Sequence, residues 1–459
     1  MTEFRIERDS MGEMQVPENA LYGASTARAV ANFPVSTLRF PREFIRALAR
    51  IKLTAATVNQ DLGKLPKPKA ALIRKAAQEV ADGDWDEQFV LDIFQTGSGT
   101  STNMNANEVI AHRCAAINAH ERIHPNDDVN MGQSSNDVIP TAIHMAASDL
   151  LINELIPAVK QLHGVVLKKA KETADVVKIG RTHLMDATPI TLGQEISGWA
   201  RQLELGVKRL ESTLPHMTEL AQGGTAVGTG LNTHPEFGTR MATELSRTCG
   251  IRFHEAGNHF EAQAAQDAVV ELSGQLKTLA VSLCKIANDV RILNMGPRCG
   301  LGEISVPAVQ PGSSIMPGKV NPVIAESLAQ VCAQVIGNDA TIAFGGASGL
   351  LDLNVMLPVM AHNVLESERL LASACRMFSD KCIAGLQAND ERCAEQIAWS
   401  MSMVTSLAPV IGYDRASQIA KQAVAEGKTV RQVCDEMNVL PTADLDKLLN
   451  PKSMLAAHR

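Results

Sequence analysis

Apolar residues at helical spacing dominate the middle of the chain. Val269, Leu272, Leu276, Leu279, Leu283, Ile286 and Val290 recur at alternating steps of three and four, a heptad seam over three repeats. Similar stripes run from about 143 to 166 (Leu150, Leu151, Leu155, Val159, Leu162, Val166), from Leu192 to Leu214, and from Val355 to Ile383. The pattern predicts long helices in a bundle. The seam at 269–290 needs a facing helix and is the expected core of an assembly of several chains. A helix of 30 residues is about 45 Å long, so loops at its two ends cannot serve one small-molecule site. Sites must be grouped by bundle end or shared between chains.

Nearer the start, Phe4 to Arg8 and Glu13 to Val16 flank an Asp9-Ser10-Met11-Gly12 turn, which predicts a small β-hairpin. A helical pattern begins at about Glu43, pauses at Gly63 to Pro68, and resumes to about Phe94, where Gln95 to Thr100 interrupts it. After Gln387 to Asp390, shorter helical segments are separated by Gly412, Gly427 and Pro441. The expected organisation is an N-terminal domain at 1–133, a long-helix domain at 134–388 and a small helical domain at 389–459.

Composition agrees with a mainly α globular chain. Of 459 residues, 45% are apolar and 20% charged, and only 11 Phe, 3 Trp and 2 Tyr are present, which disfavours extensive sheet. The net charge of -7, with no basic run, lacks the electrostatic footprint of a nucleic-acid or polybasic membrane binder. No apolar stretch of the roughly 18 residues needed to span a bilayer is read, and the start MTEFRIERDSMGEM has neither a basic nor an apolar leader region, so a cytoplasmic chain is expected. Nine scattered cysteines without C-x2-C spacing read as reduced thiols.

Three motifs tempt and fail. His120-Glu121-Arg122-Ile123-His124 matches a zinc-binding pattern, but Pro125 pushes His124 out of the helical region that would align both imidazoles. Gly312 to Val320 has five residues between its glycines and Val320 where a phosphate loop needs Ser or Thr. Gly223 to Gly228 follows a helical stretch rather than a strand, so it is no dinucleotide fingerprint. No metal and no organic cofactor are expected.

What remains are four small-polar loops: Ser98-Gly99-Thr100, Ser134-Ser135-Asn136, Thr182-His183, and Gly312 to Asn321. Gly-containing loops with short donors at helix ends suit an anion site. For any single loop the helix-cap reading wins. Together, with a His in one and a Lys in another, they favour a small polyanionic substrate.

The segment GSSIMPGKVNP (312–322) resembles the signature of the fumarase/aspartase superfamily, whose members eliminate across a bond next to a carboxylate. The resemblance extends through TGSGTSTNMNANE (96–108), HPNDDVNMGQSSND (124–137), GRTHLMDATPITLGQEISG (180–198) and GGTAVGTGLNTHPEF (223–237), and is to the class II fumarate hydratases. It implies a three-domain fumarase/aspartase-like fold with a central bundle of long helices, a homotetramer, and active sites that draw loops from three subunits. It implies reversible hydration of fumarate to L-malate, a step of the tricarboxylic acid cycle, by a metal-independent lyase. By the resemblance, Ser313 is the base at carbon, His183 handles the proton of water with Glu326 as its partner, and Lys319 stabilises the dianionic intermediate. Substrate ligands carried over are Ser98, Gly99, Thr100, Ser134, Ser135, Asn136, Thr182, Ser314, Lys319 and Asn321. His124, Pro125, Asn126 and Asp127 resemble a second, non-catalytic dicarboxylate site, and read equally as a helix stop. An aspartate ammonia-lyase and a catalytically silent scaffold of the same fold remain as alternatives, the scaffold disfavoured by the joint presence of Ser313, His183, Lys319 and Glu326.

Overall fold

The computed structural model describes residues 3–456. The N-terminal hairpin is present: β1 (Phe4–Asp9) and β2 (Gly12–Pro17) pair antiparallel from Phe4↔Pro17 to Asp9↔Gly12. Helices follow in the order α1 (Ala24–Asn32), α2 (Arg42–Asp61), α3 (Lys67–Asp82), α4 (Thr100–Ile117), α5 (Ser135–Leu150) and α6 (Ile156–Glu172). A second hairpin, β3 (Val177–Thr182) and β4 (Met185–Thr191), leads into α7 (Leu192–Met217). Then come β5 (Glu219–Leu220), α8 (Phe237–Cys249), β6 (His254–Glu255), α9 (His259–Ala264), the 27-residue α10 (Asp267–Leu293), β7 (Ile304–Ser305), α11 (Val323–Ala347) and α12 (Leu357–Phe378). After β8 (Gln387–Ala388) the helices shorten: α13 (Asp390–Trp399), α14 (Ala408–Ile411), α15 (Tyr413–Glu426), α16 (Val430–Glu436) and α17 (Thr442–Leu448). The fold is mainly α, with sheets of two strands each among the described residues.

The chain packs as two compact units, each discontinuous in sequence. One holds 1–157, 208–278 and 333–372; the other holds 158–207, 279–332 and 373–459. The positions expected as boundaries, 133 and 388, fall inside units rather than between them.

In the first unit, α2, α3 and α4 enclose Ile45, Ala49, Ile73, Ala77, Val80, Val109, Ile110 and Cys114. The small residues let these helices approach closely, which is what an Ala-rich apolar stripe provides. Gly345 of α11 leaves room for Met360 of α12, and Gly346 for Val270 of α10. In the second unit, Ile179 of β3 packs into the cluster of Leu407, Ile419, Ala423, Val430 and Val433, so the second hairpin is rooted in the C-terminal helices.

The heptad seam is buried within a single chain: none of its seven residues is more than 1% exposed. Leu279 lies against Gly206 of α7, and Asp289 accepts a hydrogen bond from the Trp199 indole at 2.8 Å. The seven seam residues are therefore already covered by their own chain. The sequence shows that a seam needs a partner helix, not which chain supplies it. Another helix face is free: Ala333, Ile336, Gly337, Ala340, Ala343, Phe344 and Ala347 of α11 are exposed, with Phe344 at 69%.

One helical stretch, Ser135–Glu172, is long and apolar enough by length and composition to cross a bilayer, where the sequence reading found none. Val138, Ile139, Ala142, Ile143, Leu151 and Leu155 within it are fully buried in protein, as in the core helix of a large domain.

Candidate active site

The β3–β4 hairpin carries His183 at its tip. Thr182 pairs with Met185, leaving His183 and Leu184 as a two-residue turn with φ of 55° and 61°. Tight hairpins favour this left-handed pair because its twist matches the strands, but Gly or Asn normally supplies it. Two residues with Cβ atoms held there mark local strain, a feature that clusters at functional sites. Thr182, His183, Leu184 and Met185 are all exposed.

The base of the hairpin is fixed by buried charge. Arg181 donates to Glu303 Oε1 at 2.7 Å and to Gln396 Oε1 at 2.7 Å. Lys178, 1% exposed, gives its hydrogen bond to the Ile179 carbonyl and stands 3.0 and 3.2 Å from Glu195 and Glu303 as ion pairs. Glu303 is fully buried, so two cations compensate one carboxylate removed from water. Glu326, in the first turn of α11, makes no described side-chain contact with His183. The pair expected from sequence does not form within one chain, because His183 sits on a solvent-facing hairpin tip.

In the loop from Gly312 to Asn321, Ser313 Oγ accepts the backbone N–H groups of Ile315 and Met316 at 3.2 and 3.0 Å. The loop is closed by Gly312 N–H on the Lys319 carbonyl and by Asn321 Nδ2 on the Gly312 carbonyl, both 2.8 Å. A Cβ on residue 312 would stand 2.5 Å from the Lys319 carbonyl oxygen, so the closure requires glycine. Two N–H donors aimed at one hydroxyl oxygen favour its anion. Ser314 and Lys319 are exposed, while Asn321 spends one amide hydrogen on holding the loop.

Ser98 and Thr100 share a hydroxyl hydrogen bond of 2.8 Å, separated by Gly99 at φ 72°, where a Cβ would press on Ile139 at 2.9 Å. Gly99 has no side chain with which to cap α4, and Gln95 supplies the acceptor instead, its Oε1 taking the Thr102 N–H at 3.0 Å. Ser134 is itself a cap: its Oγ accepts the Asn136 N–H at 3.2 Å, and Asp137 accepts the Ser134 N–H at 2.9 Å in a capping box. Ser135 Oγ accepts from Asn103 at 3.2 Å, and Asn136 Nδ2 donates to the Ala226 carbonyl at 2.8 Å. The cap reading describes both segments: Gly99 and Ser134 stand at the starts of α4 and α5.

Asp137 and Lys52, which the sequence reading passed over, lie fully buried beside this segment. Asp137 had a visible signal, the Ser-x-x-Asp spacing of a capping box, and Lys52 another, a cation on the apolar face between Leu48 and Ala55.

His124 caps a turn. Its Nδ1 accepts the N–H groups of Asn126 and Asp127 at 3.3 and 3.1 Å, at the start of the π-helical turn Pro125–Val129. An accepting Nδ1 places the ring proton on Nε2, so the 3.3 Å approach of Asp127 to the same nitrogen is no charged pair in this arrangement. Helix α4 ends at Ile117, three residues before His120, so the zinc-like spacing is not helical. Among the described residues, no three His, Cys, Asp or Glu side chains are placed to hold a metal ion. All nine cysteines are free, and burial pushes Cys114, Cys332, Cys375, Cys382 and Cys393 up to about 12.

Residues 12–337 match the family described as Lyase, and 403–456 match the fumarase C C-terminus. With the helical fold and the polar loops above, these matches define an enzyme of the fumarase/aspartase class. The chain is 54% identical to fumarate hydratase class II of Corynebacterium efficiens, covering 100% of this chain and 98% of that protein. It is 53% identical to the corresponding Mycobacterium tuberculosis protein, covering 99% of this chain and 97% of that one. A crystal structure of class II fumarase from Schistosoma mansoni matches with a TM-score of 0.97 and 40% identity, covering all of both chains. The chain belongs to the class II fumarate hydratase family, and it is a hydro-lyase that hydrates fumarate.

Proposed function

We propose that the Ser313 loop and the His183 hairpin carry the two proton transfers between fumarate and L-malate. Dehydrating L-malate requires removing a proton from the carbon beside a carboxylate, which generates a dianionic aci-carboxylate. Ser313 Oγ takes that proton. The observation that carries this role is the pair of N–H groups from Ile315 and Met316 converging on Ser313 Oγ, since they lower the cost of a serinate. Lys319 and neighbouring donors meet the added charge, a contribution for which each donor is worth about 100-fold to 1,000-fold in rate. His183 then gives a proton to the departing hydroxide, which leaves as water; hydration runs the same steps in reverse. Fixed protein donors supply the stabilisation in this reading, so the reaction is metal-independent.

Ser98, Gly99, Thr100, Ser134, Ser135, Asn136, Thr182, Ser314 and Asn321 bind the substrate carboxylates through short donors and helix-terminal N–H groups. His124 to Asp127 form a secondary dicarboxylate site, with the outward Nε2–H of His124 as one donor. The protein is a homotetramer whose active sites draw loops from three subunits, and the exposed apolar face of α11 supports this assembly. Glu326 then reaches His183 across a subunit contact. Nine unpaired thiols support a reducing compartment, the cytoplasm, and interconversion of fumarate and L-malate is the step this reading assigns to the tricarboxylic acid cycle.

The test is fumarate absorbance with L-malate and L-aspartate offered separately to wild type, Ser313→Ala, His183→Asn and His124→Asn. Fumarate is expected from L-malate alone. Ser313→Ala and His183→Asn should lose about 100-fold or more of kcat with far-UV circular dichroism retained, and His124→Asn should stay near wild type. A crippled His124→Asn beside an active Ser313→Ala would reverse the assignment.

A further inference from the structure

Buried beside the Ser134–Asn136 segment is a pair of opposite charges whose hydrogen bonds go to loops instead of to each other. Asp137 is fully buried, and its two carboxylate oxygens accept three backbone N–H groups: Ser134 at 2.9 Å, Gly223 at 3.1 Å and Thr225 at 3.0 Å. One carboxylate thus ties the start of α5 to the 223–225 turn, and Asn136 Nδ2 on the Ala226 carbonyl closes a second tie between the same segments. The turn needs this support. Thr225 holds φ 56° with a Cβ, and a Cβ on residue 223 would stand 2.8 Å from Gly238 Cα.

Lys52 of α2 is fully buried too, and its Nζ donates to Asn130 Oδ1 at 2.9 Å and Gln133 Oε1 at 3.0 Å. Asn130 Oδ1 also accepts from Asn103 Nδ2, and Asn103 Nδ2 in turn reaches Ser135 Oγ, each at 3.2 Å. Lys52 and Asp137 make no direct ion pair among the described contacts; burial raises Asp137 to about 6 against its three N–H donors and the field of Lys52, and burial lowers Lys52 to about 7. Burying two charges costs more than an apolar pair of similar volume. Here each charge gathers backbone or amide groups that would otherwise leave Ser134, Ser135 and Asn136 unfixed.

We propose that Lys52 and Asp137 are positioning residues that hold Ser134, Ser135 and Asn136 in the geometry that binds a fumarate or L-malate carboxylate. This rests on the reading of those three residues as substrate ligands. Fixing binding groups in advance lowers the cost of ordering them when substrate arrives, so the pair acts chiefly on substrate binding.

The experiment is steady-state kinetics on Asp137→Asn, Lys52→Met and the milder Lys52→Gln, beside Asn136→Ala, each checked by circular dichroism and assembly mass. Asp137→Asn and Lys52→Met should raise KM for fumarate and L-malate about tenfold or more while kcat changes less than about threefold, a split that removal of uniform binding produces. Lys52→Gln keeps the amide contacts without the charge and should fall between wild type and Lys52→Met, which keeps the test decisive if a harsher variant does not fold. If Asn136→Ala raises KM but the folded Lys52 and Asp137 variants do not, the positioning role is wrong and the site reading stands. If Asn136→Ala leaves KM unchanged, the site reading fails and the proposal with it.

Discussion

Ser313 has no imidazole or carboxylate in contact with its hydroxyl among the described residues; its distinguishing environment is a pair of backbone N–H donors. That environment was not legible in the sequence. The resemblance of 312–322 marked the residue, but only the fold of the loop about Gly312 brings two backbone N–H groups onto its hydroxyl oxygen. Among the buried charges, Asp137 and Lys52 carry a signal in their spacing, whereas Glu303 and Glu368 look like ordinary loop and helix residues until their neighbours are known. Glu368 is 1% exposed with both carboxylate oxygens unpartnered among the described residues, and burial, reinforced by Asp149 and Glu43, raises its pKa well above the usual carboxylate range. A raised folded-state pKa adds stability at low pH that is lost as pH rises through that value. Glu368→Gln should therefore gain melting temperature relative to wild type between about pH 5 and pH 8, as calorimetry would read. An equal difference at both pH values would show that Glu368 is not the titrating group.

At the scale of elements, periodicity located the long helices because their apolar stripes are long and regular. Thr182-His183 reads from sequence as a polar loop, whereas Thr182 ends β3 and His183 opens the two-residue turn into β4. The reason is chemical: His183-Leu184 lacks the Gly or Asn that announces such a turn, and the cost of both positive φ values is borne by anchors elsewhere. Arg181 is the nearest anchor, with separate donors on Glu303 and Gln396. Arg181→Lys keeps the charge but cannot reproduce that fork. It should lower kcat about tenfold or more by loosening His183, while preserving most of the melting temperature because Lys178 still faces Glu303. Unchanged kcat in a folded Arg181→Lys enzyme would show that the hairpin tip is positioned by other contacts.

Over the whole molecule, the buried heptad seam and the exposed apolar face of α11, on which the proposed assembly rests, are different surfaces. The seam is consumed within the chain, whereas α11 leaves Ala333, Ile336, Gly337, Ala340, Ala343, Phe344 and Ala347 exposed at coiled-coil spacing without a charge among them. Sequence periodicity registers both as apolar and cannot divide intrachain from interchain burial. The two compact units were hidden for a related reason, because they interleave three segments each and a reading along the chain finds only contiguous domains. If loops from different chains complete each site, the defect of one variant can be repaired by another. The most direct test mixes Ser313→Ala chains with chains of an Asn136 variant, each expected to be impaired alone under the proposed roles, dissociates them and lets them reassemble together. When the two residues of a site come from different chains, random mixing leaves both intact in about one quarter of sites, so about a quarter of wild-type activity should return. Activity no higher than that of either parent would mean that Ser313 and Asn136 serve a site within one chain, and the shared-site account would be wrong.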